Sequence, residues 1–239
     1  IYTLSKGISW ITFQNECAAI RIDDQLCKQG KGITLYSSFK QNLKGDKIYT
    51  VFEDSEGDEW ILTNKGISII GKKQVDSDFP FQYIKEADGI IYLVSQSDKL
   101  ASYNFKTRQF KFIEIPYHVS MINEVKKFDS NTLLLATDNG LIIYKIKEKE
   151  FQLIDIRTST QPSNVVQSVY QDHYKELWIF PQTTGVIRYN PSTKEMQHLF
   201  TPANEVIRYE RKNKNVIFED RQHTLWVLPP EGNLSYYDR

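Results

Sequence analysis

Along the chain, short apolar runs rich in Ile, Leu, Val, Phe and Tyr alternate with clusters of Gly, Asn, Asp, Ser and Pro. No segment keeps apolar residues at the i, i+3, i+4 spacing of a helix for long enough to compete, so periodicity and punctuation together predict strands joined by tight turns. Ile48 to Glu53 reads as one strand, Trp60 to Thr63 as a second after an acidic turn, and Ile67 to Ile70 as a third after Asn64-Lys65-Gly66. Further on, Val165 to Gln171, Leu177 to Phe180 and Val186 to Tyr189 follow the same order. There the turn Asn190-Pro191-Ser192-Thr193-Lys194 leads to a fourth strand, Met196 to Phe200. Leu141 to Tyr144 and Phe151 to Ile154 read as the third and fourth strands of another such set.

The sets repeat. Val51-Phe52-Glu53-Asp54 with Trp60 recurs as Val169-Tyr170-Gln171-Asp172 with Trp178, and as Ile217-Phe218-Glu219-Asp220 with Trp226, always six positions from Asp to Trp. Looser copies place Trp10, Tyr92 and Leu134 at the tryptophan position. The six anchors are spaced by roughly the forty to fifty residues of a four-stranded propeller blade. The expected architecture is therefore an all-β propeller of four-stranded antiparallel blades, about five complete and most of a sixth. The blades fall near 1–45, 46–78, 79–116, 117–160, 161–204 and 205–239, treated as a single domain or part of one.

Residues Glu53 to Glu59 hold five carboxylates in seven positions, which raises the question of a cation loop. The corresponding residues after Asp172 are His-Tyr-Lys-Glu-Leu and after Asp220 are Arg-Gln-His-Thr-Leu, so only the first Asp is kept. A cation would need the other oxygens, whereas a turn needs only an Asp side chain accepting backbone N–H groups one or two residues on. A structural turn is expected, with the tryptophan wedged between neighbouring sheets.

Composition changes the picture little. Aromatic residues make up 13% of the chain, in keeping with pleated, half-buried surfaces. Thirty basic residues balance thirty acidic ones, so no global field favours nucleic acid or an anionic membrane. No apolar run is long enough to span a bilayer, and the first residues lack the pattern of a signal peptide. The chain opens at Ile1 rather than Met, the expectation being a processed or trimmed segment. Cys17 and Cys27 match no metal-binding spacing and are expected as half-buried thiols or a single bridge across a hairpin.

The composite motif is an apolar strand ending in Asp, a short polar turn, Leu-Trp-Ile, a loop, and Gly-Val-Ile-Arg-Tyr-Asn. It is clearest from Val169 to Pro191 and resembles the two-component regulator propeller repeat. That resemblance implies the extracytoplasmic, periplasmic sensor region of a hybrid two-component system, as in polysaccharide-degrading gut Bacteroidetes. It implies recognition of an oligosaccharide and signalling to a histidine kinase, with membrane attachment only through a segment of the longer parent. It also implies seven-bladed propellers, so this chain is expected to be a fragment of one, with open blade edges able to support a homodimer. Two alternatives stay open: a propeller that only scaffolds protein contacts, and a carbohydrate-active propeller enzyme.

For catalysis the residues offer little. There is no Gly-x-Ser-x-Gly elbow, no phosphate loop, and no HxH or HExxH pattern among His118, His173, His198 and His223. Neither catalytic, metal nor cofactor residues are assigned, and the histidines are expected as solvated turn residues. A ligand would be met by loops joining strand four to the next strand one and strand two to strand three, which share one rim of a propeller. On those loops Arg157, Asn164, Arg208, Tyr209 and Arg211 are the candidates, because guanidinium forks and an aromatic face suit a sulfated or carboxylated sugar.

Overall fold

The computed structural model describes residues 1–13, 18–37, 43–45, 47–71, 77–87, 89–95, 97–104, 107, 109–159, 161–182, 185–199, 216–228 and 234–237. The chain divides into two compact units, Ile1–Ile115 and Pro116–Arg239.

The first unit holds three antiparallel sheets. The first sheet contains β1 (Tyr2–Thr3), β2 (Ile8–Thr12), β3 (Ala18–Asp23) and β4 (Ile33–Ser37), with the one-turn helix α1 (Asp24–Cys27) before β4. The second sheet contains β5 (Ile48–Glu53), β6 (Glu59–Thr63) and β7 (Gly66–Ile70). The third contains β8 (Phe81–Ala87), β9 (Ile90–Ser95), β10 (Leu100–Asn104) and β11 (Gln109–Ile113).

The second unit repeats the scheme. Its fourth sheet is β12 (Ile122–Lys127), β13 (Thr132–Thr137), β14 (Gly140–Lys145) and β15 (Glu150–Ile154). The fifth is β16 (Val166–Gln171), β17 (Leu177–Pro181), β18 (Val186–Tyr189) and β19 (Met196–Leu199). The sixth is β20 (Val216–Glu219), β21 (Leu225–Leu228) and β22 (Ser235–Tyr237). In every sheet the strands lie side by side in chain order, the meander of a propeller blade. Cys27 is a free, exposed thiol rather than a half-buried one, and Cys17 lies outside the described residues.

The repeated Asp and Trp are wired alike wherever both occur. Asp54 Oδ1 accepts the N–H of Glu56 and of Asp58 (3.0 Å each), and Oδ2 accepts the Trp60 indole N–H at 2.8 Å. Asp172 accepts from Glu176 N and Trp178 Nε1 (2.9 Å each). Asp220 accepts from Gln222 N, Thr224 N and Trp226 Nε1 at 2.9, 3.0 and 2.8 Å. One side chain thus closes the turn and fixes the indole. The residue three after each Asp sits in the left-handed region: Gly57 at φ 88°, Lys175 at 66° and His223 at 65°. With its oxygens spent on N–H donors, Asp54 is a turn residue, as expected.

The second strands β6, β13 and β17 are buried along their whole length, so they read as near-continuous apolar runs rather than alternating ones. Trp10, Trp60 and Trp178 are each 0% exposed and sit in clusters that join one sheet to the next. Trp60 meets Leu62, Phe81, Ile84 and Leu93 across the second and third sheets. Trp178 meets Phe180, Leu225 and Val227 across the fifth and sixth. The fourth and fifth sheets join through Leu134, Ala136, Ile154, Val166, Val169 and Ile179. Trp226 differs in being only half-buried.

A second device ties the sheets together. The residue after the turn-forming position donates its backbone N–H to a glutamate at or next to the end of the next sheet's first strand. Ser5 N bonds Glu53 (2.6 Å), Ser55 N bonds Glu86 (2.7 Å) and His173 N bonds Glu219 (2.9 Å). The Ser5 and Ser55 hydroxyls donate to the second oxygens of the same carboxylates. The fourth and fifth sheets are joined differently, by Asn123 Nδ2 to the Val166 carbonyl (2.8 Å) and Val169 N to Glu124 (3.0 Å).

Candidate functional site

The rim loops are built from short polar residues held by their own backbone. At the turn between β6 and β7, Thr63 Oγ1 donates to the Gly66 carbonyl (3.0 Å) and accepts Lys65 N–H (3.2 Å). Between β13 and β14, Thr137 does the same with Gly140 and Asn139, at 2.7 and 3.1 Å. Gly66 has φ +129°, and a Cβ there would lie 2.0 Å from the Ser77 carbonyl, so the position tolerates no side chain.

The rim amides and carboxylates then bind the incoming strand. Asn64 Oδ1 accepts Lys47 N–H at 3.0 Å, and the Asp138 carboxylate accepts Ser120 N–H at 3.1 and 3.2 Å. Asn139 Nδ2 donates to the His118 carbonyl at 2.9 Å.

Among the sequence-derived candidates, Asn164 is buried at 8% exposure. Its Oδ1 accepts Ile156 N–H (2.9 Å), its Nδ2 donates to Asn139 Oδ1 (3.1 Å), and its carbonyl accepts Gly140 N–H (2.6 Å). Asn164 therefore joins the loop 155–165 to the β13–β14 turn. Arg157, on the same loop, is exposed and grips Asp155 with Nε (3.0 Å to each oxygen) and Nη2. The Arg157 guanidinium holds the Asp155 carboxyl below the usual carboxylate range, and Asp155 in turn raises Arg157. Arg208, Tyr209 and Arg211 lie outside the described residues. Sequence reasoning passed over Gln161 on this loop, which is buried at 5% exposure and whose Nε2 has no acceptor among the described residues.

Away from the rim, two histidines meet that repeat alignment keeps apart. His173 of the fifth sheet and His223 of the sixth stack with ring centroids 3.9 Å apart and planes inclined by 19°. His223 Nδ1 lies 3.2 Å from Glu219 Oε1, and Tyr174 packs edge-on to both rings. A cleft of about 370 Å³ lies beside Glu176, which Arg188 clamps at 2.6 and 2.8 Å and Asn190 at 3.2 Å. A larger cleft, about 830 Å³, opens at the end of the third sheet between Glu56, Ser102, Asn104, Gln109, Phe110 and Lys111. It offers an aromatic ring with amide and hydroxyl groups around it, a lining suited to a hydroxyl-rich ligand.

No protein-family model matches the chain. Over 196 residues, 82% of its length, the chain is 22% identical to histidine kinase P4 of Formosa agariphila, and it spans only 12% of that protein. Its fold is similar to that of virginiamycin B lyase from Staphylococcus aureus, with a TM-score of 0.64, 16% identity, and coverage of 99% of this chain and 82% of that one. It is also similar to the extracellular domain of a hybrid two component system from B. thetaiotaomicron, with a TM-score of 0.61, 15% identity, and coverage of 96% and 31%. At these identities the structural likeness establishes the fold, that of β-propeller domains. Among the described residues, no helix is long and apolar enough to cross a membrane.

Proposed function

We propose that this chain is the sensory portion of a longer hybrid two-component regulator, placed outside the cytoplasm, and that it recognises an oligosaccharide. The observation that carries the proposal is the alignment of four-fifths of the chain with a histidine kinase many times its length. Likeness in shape to an extracellular domain of a hybrid two component system supports it. Signal transfer then belongs to the longer parent, and this portion acts by binding.

Virginiamycin B lyase shares the architecture, so an enzymatic reading has to be weighed against the carboxylates themselves. Four of the buried ones are engaged by the protein itself. Asp54 and Asp172 hold indole and backbone N–H groups, Glu59 accepts from Trp10 and Arg21, and Glu176 holds Arg188 and Asn190. With their oxygens engaged by N–H donors of the protein itself, these four are not presented to a substrate, and this favours binding over turnover.

On the rim, Arg157 is a cation open to solvent, and an anionic sugar would take the place of Asp155 in its fork. Calorimetry with the chain against size-matched neutral, sulfated and uronate oligosaccharides tests the proposal. Binding to at least one series is expected. Selective loss of the acidic series in Arg157→Ala assigns the rim, and loss in Phe110→Ala assigns the cleft of the third sheet. Heat from none of the three series would sink the sugar reading.

A further inference from the structure

We infer that the joint between the fifth and sixth sheets is a proton-operated catch: it holds while the His173–His223 pair carries at most one proton and slackens when mild acid charges both rings. The pair is built from two turns. His173 comes from the first turn of the fifth sheet and His223 from the first turn of the sixth, their centroids 3.9 Å apart and their planes inclined by 19°. Rings stacked this way hold their nitrogen lone pairs in nearly parallel planes, so they do not converge on one cation. Among the described residues no three His, Cys, Asp or Glu side chains are placed to hold a metal. Protons are what the pair can take.

Glu219 couples those protons to the joint. Its Oε2 accepts the His173 backbone N–H from the neighbouring sheet at 2.9 Å, and its Oε1 lies 3.2 Å from His223 Nδ1. The Glu219 side chain is 12% exposed and that of His223 39%, open enough to exchange protons with water and closed enough for charge to be felt. One proton on the pair gives an imidazolium beside Glu219. A second puts like charges face to face, with a single carboxylate to serve both.

The other charges on the two turns balance. Asp172 and Asp220, whose oxygens hold indole and backbone N–H groups, stand against Lys175 and Arg221, both exposed. Glu176 holds Arg188 and Asn190. Asp220, kept below its ordinary range first by the Trp226 indole and also by His223, stays ionised in mild acid. Tyr170 reaches Glu219 Oε2 at 3.5 Å; burial, and then that carboxylate, push its hydroxyl up, so it stays neutral. Tyr174 packs edge-on against both rings and brings no charge. In an opened joint the rings part and take protons independently in the ordinary imidazole range, about 6.5. Below that pH the opened state binds more protons than the closed one, so the joint weakens as pH falls.

Amide hydrogen exchange at residue 173 and NMR titration of the imidazoles, on the 239-residue chain between about pH 7.5 and 5 and so above the carboxylate range, test the inference. Corrected for the intrinsic rate, protection of the His173 amide should fall by about tenfold or more at the acid end. His173→Phe keeps the backbone N–H and a ring to stack but cannot take the second proton, and its protection should hold over the whole range. His223→Asn, which suits the left-handed backbone there and leaves residue 173 unchanged, should be equally insensitive to acid. In the wild-type chain the two rings should fill in two coupled steps, and in His173→Phe the remaining His223 ring in one. Wild-type protection that stays level in acid, an acid loss that both variants share, or two rings that titrate independently would each overturn it.

Discussion

Trp178 and Trp226 occupy the same place in the same sequence frame, and their indoles are tied to Asp172 and Asp220 at 2.9 and 2.8 Å. Yet Trp178 is fully buried with Tyr237 set edge-on at 5.2 Å, whereas Trp226 is half open, with Tyr236 at 5.7 Å on its own sheet. The difference separates two layers of construction. The turn and its indole bond form from residues six apart and need no neighbour. Burial of the ring comes only when a second sheet arrives. The local lock prepares the surface, and packing supplies most of the stabilisation.

Substitutions can break that comparison, and the largest effect belongs to the covered ring. Trp178→Ala should cost about 3–5 kcal/mol in urea melts, and Trp226→Ala, measured in dilute solution, clearly less. Equal losses would mean the two rings are equally buried. Next, Asp172→Ala leaves the Trp178 indole and Glu176 amide without acceptors in a dry site, a loss of about 3 kcal/mol. Asp220→Ala should cost less, since water can replace the carboxylate.

Smaller effects sharpen the picture. Glu219→Ala frees the His173 amide across the fifth and sixth sheets, and about 1–2 kcal/mol should go, seen as faster hydrogen exchange at His173. Lys175→Gly, relieving left-handed backbone, should gain up to about 1 kcal/mol, while Gly57→Ala should lose about as much. The smallest effect is electrostatic. The Trp226 indole N–H, with the backbone N–H groups of Thr224 and Gln222, holds the Asp220 carboxyl below its ordinary range. Its contribution is therefore complete above the unfolded aspartate value of about 3.9 and disappears as pH falls through the lower folded value. Asp220→Asn should flatten the acid limb of the stability curve there.

What could be foreseen from sequence follows the same division. The strands, the Asp-to-Trp frame and the wedge between sheets were legible because they rest on short spacings. Even the degenerate frames keep the turn: Leu4 N bonds the Ile8 carbonyl at 2.8 Å and Phe128 N that of Thr132 at 3.0 Å. Leu4 cannot accept an indole N–H, so Trp10 reaches Glu59 of the next sheet instead, at 2.6 Å.

The glutamate clamps were missed because donor and acceptor lie 31 to 48 residues apart. Their one trace in the sequence is a Glu before the Asp in two of the three strong copies, at Glu53 and Glu219. The His173–His223 stack was hidden by the alignment itself, which compares equivalent positions, whereas a seam brings together the first turn residue of one sheet and the third of the next. Asn164 illustrates the limit for sites. A loop amide facing a ligand and one bonded to its own backbone read identically in sequence, and here both amide atoms go to the protein.

The second sheet holds a glutamate for the turn before it and a serine for the glutamate after it. Its ends are therefore matched to each other as well as to its neighbours. Unequal crossing-over that inserted another such module would deliver a fitted joint on both flanks, and one that excised it would leave Ser5 facing Glu86, still a matched pair. Growth and shrinkage by whole modules is thus the mutational path of least resistance for this architecture.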